Sequence, residues 1–122
     1  MVLAVQLYSG QVHTNRMDLN PVLDAIVAAS KQGNAVVRIE GSASDGPSSR
    51  AGGNMELASS RAIDVYLRLV RGLESRGLTK GEDYMVRVVR RVQPDGGTPA
   101  AFKNSEAHPA SFQYVRVDLS VE

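Results

Sequence analysis

The residues best suited to bind a ligand lie in a polar loop and in the first turns of the helix that follows it. The loop, 41–53, contains no large apolar side chain, and it is longer than the usual strand-to-helix connection of ~2–6 residues. It leads into a helix N-terminus, whose free N–H groups and macrodipole attract anions. Arg61 lies about two turns into this helix and carries a planar guanidinium that matches a carboxylate in a bidentate geometry. The arrangement predicts a site for a ligand that bears a carboxylate.

The same residues have simpler interpretations. On spacing alone, Arg61 is more often a surface helix residue that pairs with a nearby acid such as Glu56 or Asp64. Asn54 is a preferred N-cap residue and would be favoured there without any ligand. Both alternatives stay open when the residue types and their spacing are the only information.

Catalytic arrangements are not found. His13 and His108 lie in different loops, without a carboxylate at a helical offset, and solvated loop histidines are the ordinary interpretation. The HExxH and GxSxG motifs are absent, and the long loop lacks the Gly-Lys-Ser/Thr of a phosphate-binding loop. Asp45 is the only acid in that loop, and Asp95 lies in an Asp-Gly-Gly turn that its backbone preferences explain. We therefore expect a protein that is not an enzyme and has no catalytic residues.

Composition limits the remaining classes. The 122 residues suit one domain. The net charge of +1 gives no support for bulk electrostatic affinity toward nucleic acid or anionic lipid. The absence of cysteine removes disulfides and thiolate metal sites, and no apolar run approaches the ~18 residues that cross a bilayer. We expect no cofactor, no metal site and no direct membrane insertion of this domain.

Hydrophobic periodicity predicts four strands and two helices. Asn20 and Pro21 are typical of an N-cap and a first helical residue, and Gly33 and Gly77 are placed to end the two helices. The chain order is β-α-β-α-β-β. The predicted elements are a strand over 2–8, a helix over 21–32, a strand over 35–40, a helix over 54–76 and strands over 84–92 and 112–121.

Polar residues alternate with apolar ones along the predicted strands, which indicates that one face of the sheet is open to solvent. We therefore predict an α+β two-layer sandwich, in which both helices cover one face of a mixed four-stranded sheet. Cross-strand pairs such as Arg38–Asp118 or Glu40–Arg116 would be the ordinary role of charges on the open face. The alternating polar residues are Arg38, Glu40, Arg87, Arg116 and Asp118.

The segment from Val37 to Gly41, the loop and the segment from Asn54 to Ala62 together resemble the OmpA-like peptidoglycan-binding domain family. The family pattern is a strand that ends in Gly-x-Thr-Asp, a polar loop, and then Asn-x-x-Leu-Ser-x-x-Arg-Ala on the second helix. Asn54, Leu57, Arg61 and Ala62 match that pattern at the correct mutual spacing. The order of strands and helices also agrees along nearly the whole chain. The resemblance implies the fold of the OmpA C-terminal domain and a non-catalytic role in binding the cell wall.

In the family, an Asp after the second strand and the Arg of the second helix hold the free amino-acid end of diaminopimelate in the peptide stem. By resemblance, Arg61 would bind the carboxylate. Ser44 occupies the position of the Asp in this sequence. Asp45 follows immediately and would substitute for the Asp if the loop shifts by one residue. Losing a charge-assisted hydrogen bond costs ~1.5–3 kcal/mol, or ~10- to 150-fold in affinity. The implied peptidoglycan-binding residues are Arg61, Asp45, Ser44 and Asn54, with weakened affinity.

The resemblance also implies a location and partners. We expect a single OmpA-like domain, 1–122, cut from a longer exported envelope protein of a Gram-negative bacterium. The parent would be a lipoprotein or associated with the outer membrane, so this domain would lie in the periplasm. The expected partner is the diaminopimelate-containing peptidoglycan stem peptide, with other envelope proteins as further partners.

Two alternative functions stay open at this point. A degenerate OmpA-like domain would serve as a protein–protein interaction module in an envelope complex, through the arginine-rich sheet face or the predicted loop 93–111. A small nucleic-acid-binding sheet domain is disfavoured, because the six aromatic residues do not alternate with the strand arginines and give no stacking platform. We therefore expect no nucleic-acid partner.

Overall fold

A computed structural model describes residues 2–6, 12, 17–44, 53–93 and 114–122, with the backbone alone for 2–6 and for Ser44 and Gln93. The predicted order β-α-β-α-β-β is confirmed. The elements are β1 (Val2–Gln6), α1 (Asn20–Ser30), β2 (Ala35–Ser44), α2 (Gly53–Ser75), β3 (Tyr84–Gln93) and β4 (Tyr114–Val121).

The strands form one mixed sheet in the order β1-β4-β2-β3. β4 pairs antiparallel with both β1 and β2, whereas β2 and β3 are parallel neighbours in register from Ala35↔Tyr84 to Ser44↔Gln93. Both helices pack on one face of this sheet. The predicted two-layer α+β sandwich with a mixed four-stranded sheet is therefore confirmed.

A single main core fills the space between the helices and the sheet. A stripe of apolar residues along α2 is fully buried, and it consists of Ala58, Ala62, Val65, Leu69 and Leu73. From the sheet, Val37 and Ile39 of β2 and Val115 and Val117 of β4 are also fully buried. These four positions alternate with polar residues, as the period of two in a half-buried strand requires.

The start of α1 differs from the prediction by one residue. Asn20 is the first helical residue and Leu19 is the N-cap, so the prediction of Asn20 as the cap was wrong. The reason is Asp18, whose Oδ1 accepts the backbone N–H of Asn20 at 3.0 Å. An acceptor two residues earlier thus replaces the side-chain cap that was expected from Asn20.

The two glycines predicted to end the helices behave differently. Gly77 has a φ of +83°, and the N–H of Leu78 donates to the Leu73 carbonyl at 3.0 Å, which is the Schellman arrangement. Gly33 lacks the predicted left-handed conformation. A Cβ at Gly33 would lie 3.1 Å from Cγ1 of Val121, so this glycine permits a close approach to the end of β4 instead.

β2 is four residues longer than predicted, because pairing with β3 continues to Ser44. The segment 41–44 belongs to the strand rather than to the loop, so the predicted loop boundary was wrong there. Its small side chains suppressed the strand signal, although Gly41, Ser42 and Ala43 are buried. Among the described helices, none is both long and apolar enough to span a bilayer.

Candidate functional site

The candidate site begins where α2 crosses the carboxyl end of β2. Gly41 makes this crossing possible, since a Cβ there would lie 2.0 Å from the carbonyl oxygen of Ala58 and 2.7 Å from the amide nitrogen of Ala62. Side chains larger than hydrogen therefore cannot be accommodated without moving α2. The small residues on both elements bring the helix backbone directly against the strand.

This close contact places Arg61 against β2. The Arg61 side chain is fully buried, and its Nη1 donates to the carbonyl oxygen of Ser42 at 2.7 Å. Ser42 lies opposite Tyr114 in the last register pair of the β2–β4 ladder. A guanidinium thus stands at the point where the antiparallel ladder ends. Because a buried charge is costly unless it is hydrogen-bonded, this contact also fixes α2 to β2.

Arg61 is buried, so the alternative interpretation of it as a surface helix residue does not hold. Arg61 belongs to the buried stripe of α2, because its neighbours Leu57, Ala58 and Ala62 are also buried there. The sequence signal that could have revealed this burial is the position of Arg61 within the helical period of the apolar residues.

The other predicted site residues fall at the same end of the molecule to the extent that they are described. Asn54 precedes Arg61 by seven residues, so both lie on one face of α2, about 10 Å apart along its axis. Asn54 is the second residue of α2, not the cap before it. Ser44 is the last residue of β2, two positions beyond Ser42, and its side chain lies outside the described part. Asp45 lies outside the described residues altogether.

A small apolar cluster lies beside Arg61 at this end. Ala43 and Ala58 are fully buried, Leu57 is nearly so, and Val12 packs against them. The cluster continues the core toward the end of β2. It therefore gives the polar groups of the site a surrounding of low polarity, which strengthens the hydrogen bonds made there.

The opposite face of β2 carries a second polar cluster, which is centred on Glu40. This carboxylate is buried, accepts a hydrogen bond from the Tyr114 hydroxyl, and forms an ion pair with Arg38 at 2.8 Å. Arg91 of β3 lies 3.6 Å from the same carboxylate. The cluster joins the three adjacent strands β2, β3 and β4 across the open face.

These contacts set the ionisation of Glu40. Burial by itself raises the pKa of the Glu40 carboxyl. Hydrogen bonds from Tyr114 and Arg38 act in the other direction, as do the positive charges of Arg38 and Arg91. Together they hold the pKa below its ordinary value of 4.5, so the ionised form is favoured in the folded protein.

The predicted cross-strand charges occupy the expected register. Arg38 lies opposite Asp118 and pairs with it at 3.8 Å, which confirms that prediction. Arg116 lies opposite Glu40, but its guanidinium contacts Asp118 at 3.1 Å instead. Tyr114 was not predicted as a partner of Glu40. Tyr114 and Arg116 are two positions apart along β4, and this spacing was the sequence signal that both lie on one face of the sheet.

The remaining predictions about chemistry concern other segments. His13, His108, Asp95 and the predicted loop 93–111 lie outside the described residues, except for Gln93 at the end of β3. Within the part of the chain that the structure describes, no three His, Asp or Glu side chains are grouped as metal ligands would be.

Comparison with known proteins finds relatives in structure alone. No family model matches the sequence, and no curated protein matches it. The cell wall anchor of the T6SS from Pseudomonas aeruginosa is similar, with a TM-score of 0.56 at 15% identity over 99% of this chain and 81% of that one. The C-terminal domain of Helicobacter pylori MotB gives 0.55 at 15% identity over 95% and 83%. A structure of the periplasmic domain of the same MotB gives 0.52 at 15% identity over 99% and 76%.

These likenesses concern the whole arrangement of strands and helices. Nearly the full length of this chain is covered in each case. They establish that the chain adopts the fold of these envelope-protein domains, as the sequence resemblance implied.

Proposed function

We propose that this chain is a non-catalytic, OmpA-like domain that binds the peptide stem of peptidoglycan and anchors an envelope protein to the cell wall in the periplasm. The observation that carries the proposal is the position of Arg61, which α2 holds against the carboxyl end of β2. A fold shared with a cell wall anchor supports the same role.

In the proposed complex, the Arg61 guanidinium binds the free carboxylate of diaminopimelate. Asn54 lies on the same face of α2, and Ser44 ends the adjoining strand. Asp45 takes the ammonium, because it is the only acid in the segment between β2 and α2. Since Arg61 is fully buried in the free protein, the ligand must displace the part of the chain that covers the guanidinium. This displacement, with the motif Asp replaced by Ser44, makes the affinity weak.

The test is co-sedimentation with purified peptidoglycan sacculi of two types, one containing diaminopimelate and the other containing lysine at the same stem position. Lysine lacks the second carboxylate, so only the first type offers the group that Arg61 binds. Arg61→Lys keeps the positive charge but removes the bidentate fork. We expect preference for the diaminopimelate wall and a loss of ~10-fold or more in affinity for Arg61→Lys.

Arg68 provides the matched control for this variant. It lies seven residues further along α2 and also donates to a backbone carbonyl, that of Met17, at 2.8 Å. Arg68→Lys therefore disturbs the same kind of contact away from the candidate site. It should retain wall binding. Equal binding to both wall types, or equal losses for the two variants, would contradict the proposal.

A second candidate function is a protein–protein interaction module in an outer-membrane or periplasmic complex. The burial of Arg61 against the Ser42 carbonyl favours it, because a guanidinium committed to the fold is not exposed for a ligand. On this alternative, Arg61→Lys lowers stability, and neither wall type is bound.

A further inference from the structure

β3 forms an edge of the sheet. Of the described residues, only β2 pairs with it along its length. At the start of the outer edge, the Tyr84 carbonyl accepts the N–H of Gly81 at 2.8 Å. Because alternate residues of a strand direct their N–H and C=O groups to the same side, the outward-directed positions can be identified. They are Val86, Val88, Arg90 and Val92.

A shallow apolar groove runs along this edge, between β3 and α2. Two adjoining cavities form it, with volumes of about 360 and 260 Å³. Val88 lines both cavities and is 46% exposed, and Ile63 on the α2 side is 49% exposed. Side chains that are apolar and half exposed beside an open strand edge are typical of a surface that takes an added strand.

The charged residues that line the groove are basic. β3 carries three arginines and no acid. Arg90 lines one cavity and Lys80 lines the other, and Arg87 has no ion-pair partner among the described residues. Arg91 shares Glu40 with Arg38. The edge is therefore complementary to acidic side chains.

We propose that the outer edge of β3 takes an added strand from a partner protein, an extended segment in which apolar residues alternate with acidic ones. Its backbone pairs with the outward N–H and C=O groups between Val86 and Val92, a length of about 20 Å. Its apolar side chains enter the groove beside Val88. Its acidic side chains fall on the opposite face of the extended sheet, next to Arg87 and Arg91.

A second copy of this chain is the poorer occupant of the edge. Pairing of two β3 strands would bring arginines close to arginines, and like charges on neighbouring strands are destabilising. Charged side chains on an edge strand are also a general protection against self-pairing. The arginines thus discourage a second copy and favour an acidic strand.

The test uses fluorescein-labelled eight-residue peptides and the intact chain. One peptide alternates valine with glutamate, a second alternates valine with lysine, and a third is the first with proline at its central positions. We expect saturable anisotropy with the glutamate peptide alone, since lysine reverses the charge and proline removes the N–H groups that pair. Binding should also protect the amides of Val88 and Arg90 from hydrogen exchange.

Val88→Glu is the variant that places a negative charge in the groove, and Val121→Glu is its matched control. Val121 is 47% exposed, close to the 46% of Val88, and lies near the chain end on β4. We expect at least a 10-fold loss of affinity for the glutamate peptide with Val88→Glu and less than a 2-fold change with Val121→Glu.

Three results would overturn this proposal. They are absence of binding by the glutamate peptide, equal binding by the lysine peptide, and insensitivity to Val88→Glu. Concentration-dependent dimerisation in sedimentation equilibrium that Val88→Glu abolishes would assign the edge to a second copy and also overturn it. The proposal does not depend on wall binding, because the added strand pairs with Val86 to Val92 and not with Arg61.

Discussion

The two faces of β2 show how one strand supports two kinds of interaction. On the helix-covered face, Gly41 and its alternate neighbours are fixed by close backbone contact and apolar burial. On the open face, Glu40 is fixed by Tyr114 and two arginines. The contacts on the helix-covered face depend on the size and shape of the side chains, and those on the open face depend on charge. Substitutions should therefore affect the two faces in distinguishable ways.

The largest effect is expected on the helix-covered face, from Gly41→Ala. The new methyl group would meet the backbone of α2, which has no rotamer to change, so the variant should lose about 3 kcal/mol of unfolding free energy. Urea denaturation measures this loss. Gly72→Ala is the control, because the atoms nearest to its Cβ would belong to the Leu23 side chain, the closest of them at 2.6 Å. Equal losses of unfolding free energy for the two alanine variants would contradict the claim that contact with the backbone of α2 makes Gly41 the less tolerant position.

The next effect is pH-dependent and belongs to the open face. Glu40→Gln should lower the unfolding free energy by about 2 kcal/mol at neutral pH. The reason is that a neutral amide replaces the charged carboxylate that accepts the hydrogen bonds. The folded pKa lies below 4.5, so the wild-type advantage is complete above pH 4.5. It declines as the pH falls through the folded pKa. Denaturation of both proteins at a series of pH values measures this difference.

Asp118→Asn is the comparison for Glu40→Gln. The Asp118 side chain is 27% exposed, against 4% for Glu40, and its ion pairs are screened by solvent. It should cost about 0.5 kcal/mol. If Asp118→Asn lost as much unfolding free energy as Glu40→Gln, burial of Glu40 would not increase the contribution of its carboxylate to stability.

The last two variants make the same chemical change, the loss of a tyrosine hydroxyl, on each face. Tyr114→Phe should lose about 1.5 kcal/mol, because its hydroxyl donates to Glu40. The Tyr84 hydroxyl is buried without a hydrogen-bond partner in the described part. Burial is the main cause that raises the pKa of this hydroxyl, and the negative charge of Glu74 is the next largest. Tyr84→Phe should therefore gain up to about 1 kcal/mol. Thermal unfolding of both variants would reveal changes of opposite sign, and a shared sign would contradict the assignment of the two hydroxyls.

The sequence predicted the layers of the fold better than its contacts. Periodicity placed the buried stripe of α2 and the charged face of the sheet, because both patterns repeat over many residues. It missed the extension of β2 to Ser44, since small side chains carry no apolar signal there. It also missed the contact of Arg61 with Ser42, because the acceptor is a backbone carbonyl, which leaves no residue signature in the sequence.

The ends of the elements show the same limit. Gly77 ends α2 as predicted, since a left-handed glycine is a local requirement. Gly33 has a different role, because its close neighbour Val121 comes from the far end of the chain. Local chemistry is readable from sequence, whereas contacts between distant segments require the fold.

The most direct test of the proposed wall binding is an NMR titration of the isotope-labelled chain with a diaminopimelate-containing stem peptide at millimolar concentration. The proposal predicts saturable amide shifts at Ala43, Ser44 and Asn54, together with a shift of the Arg61 guanidinium resonance in the wild-type chain, and loss of the three amide shifts with Arg61→Lys. Absence of shifts, or shifts confined to the edge of β3, would contradict wall binding at this site.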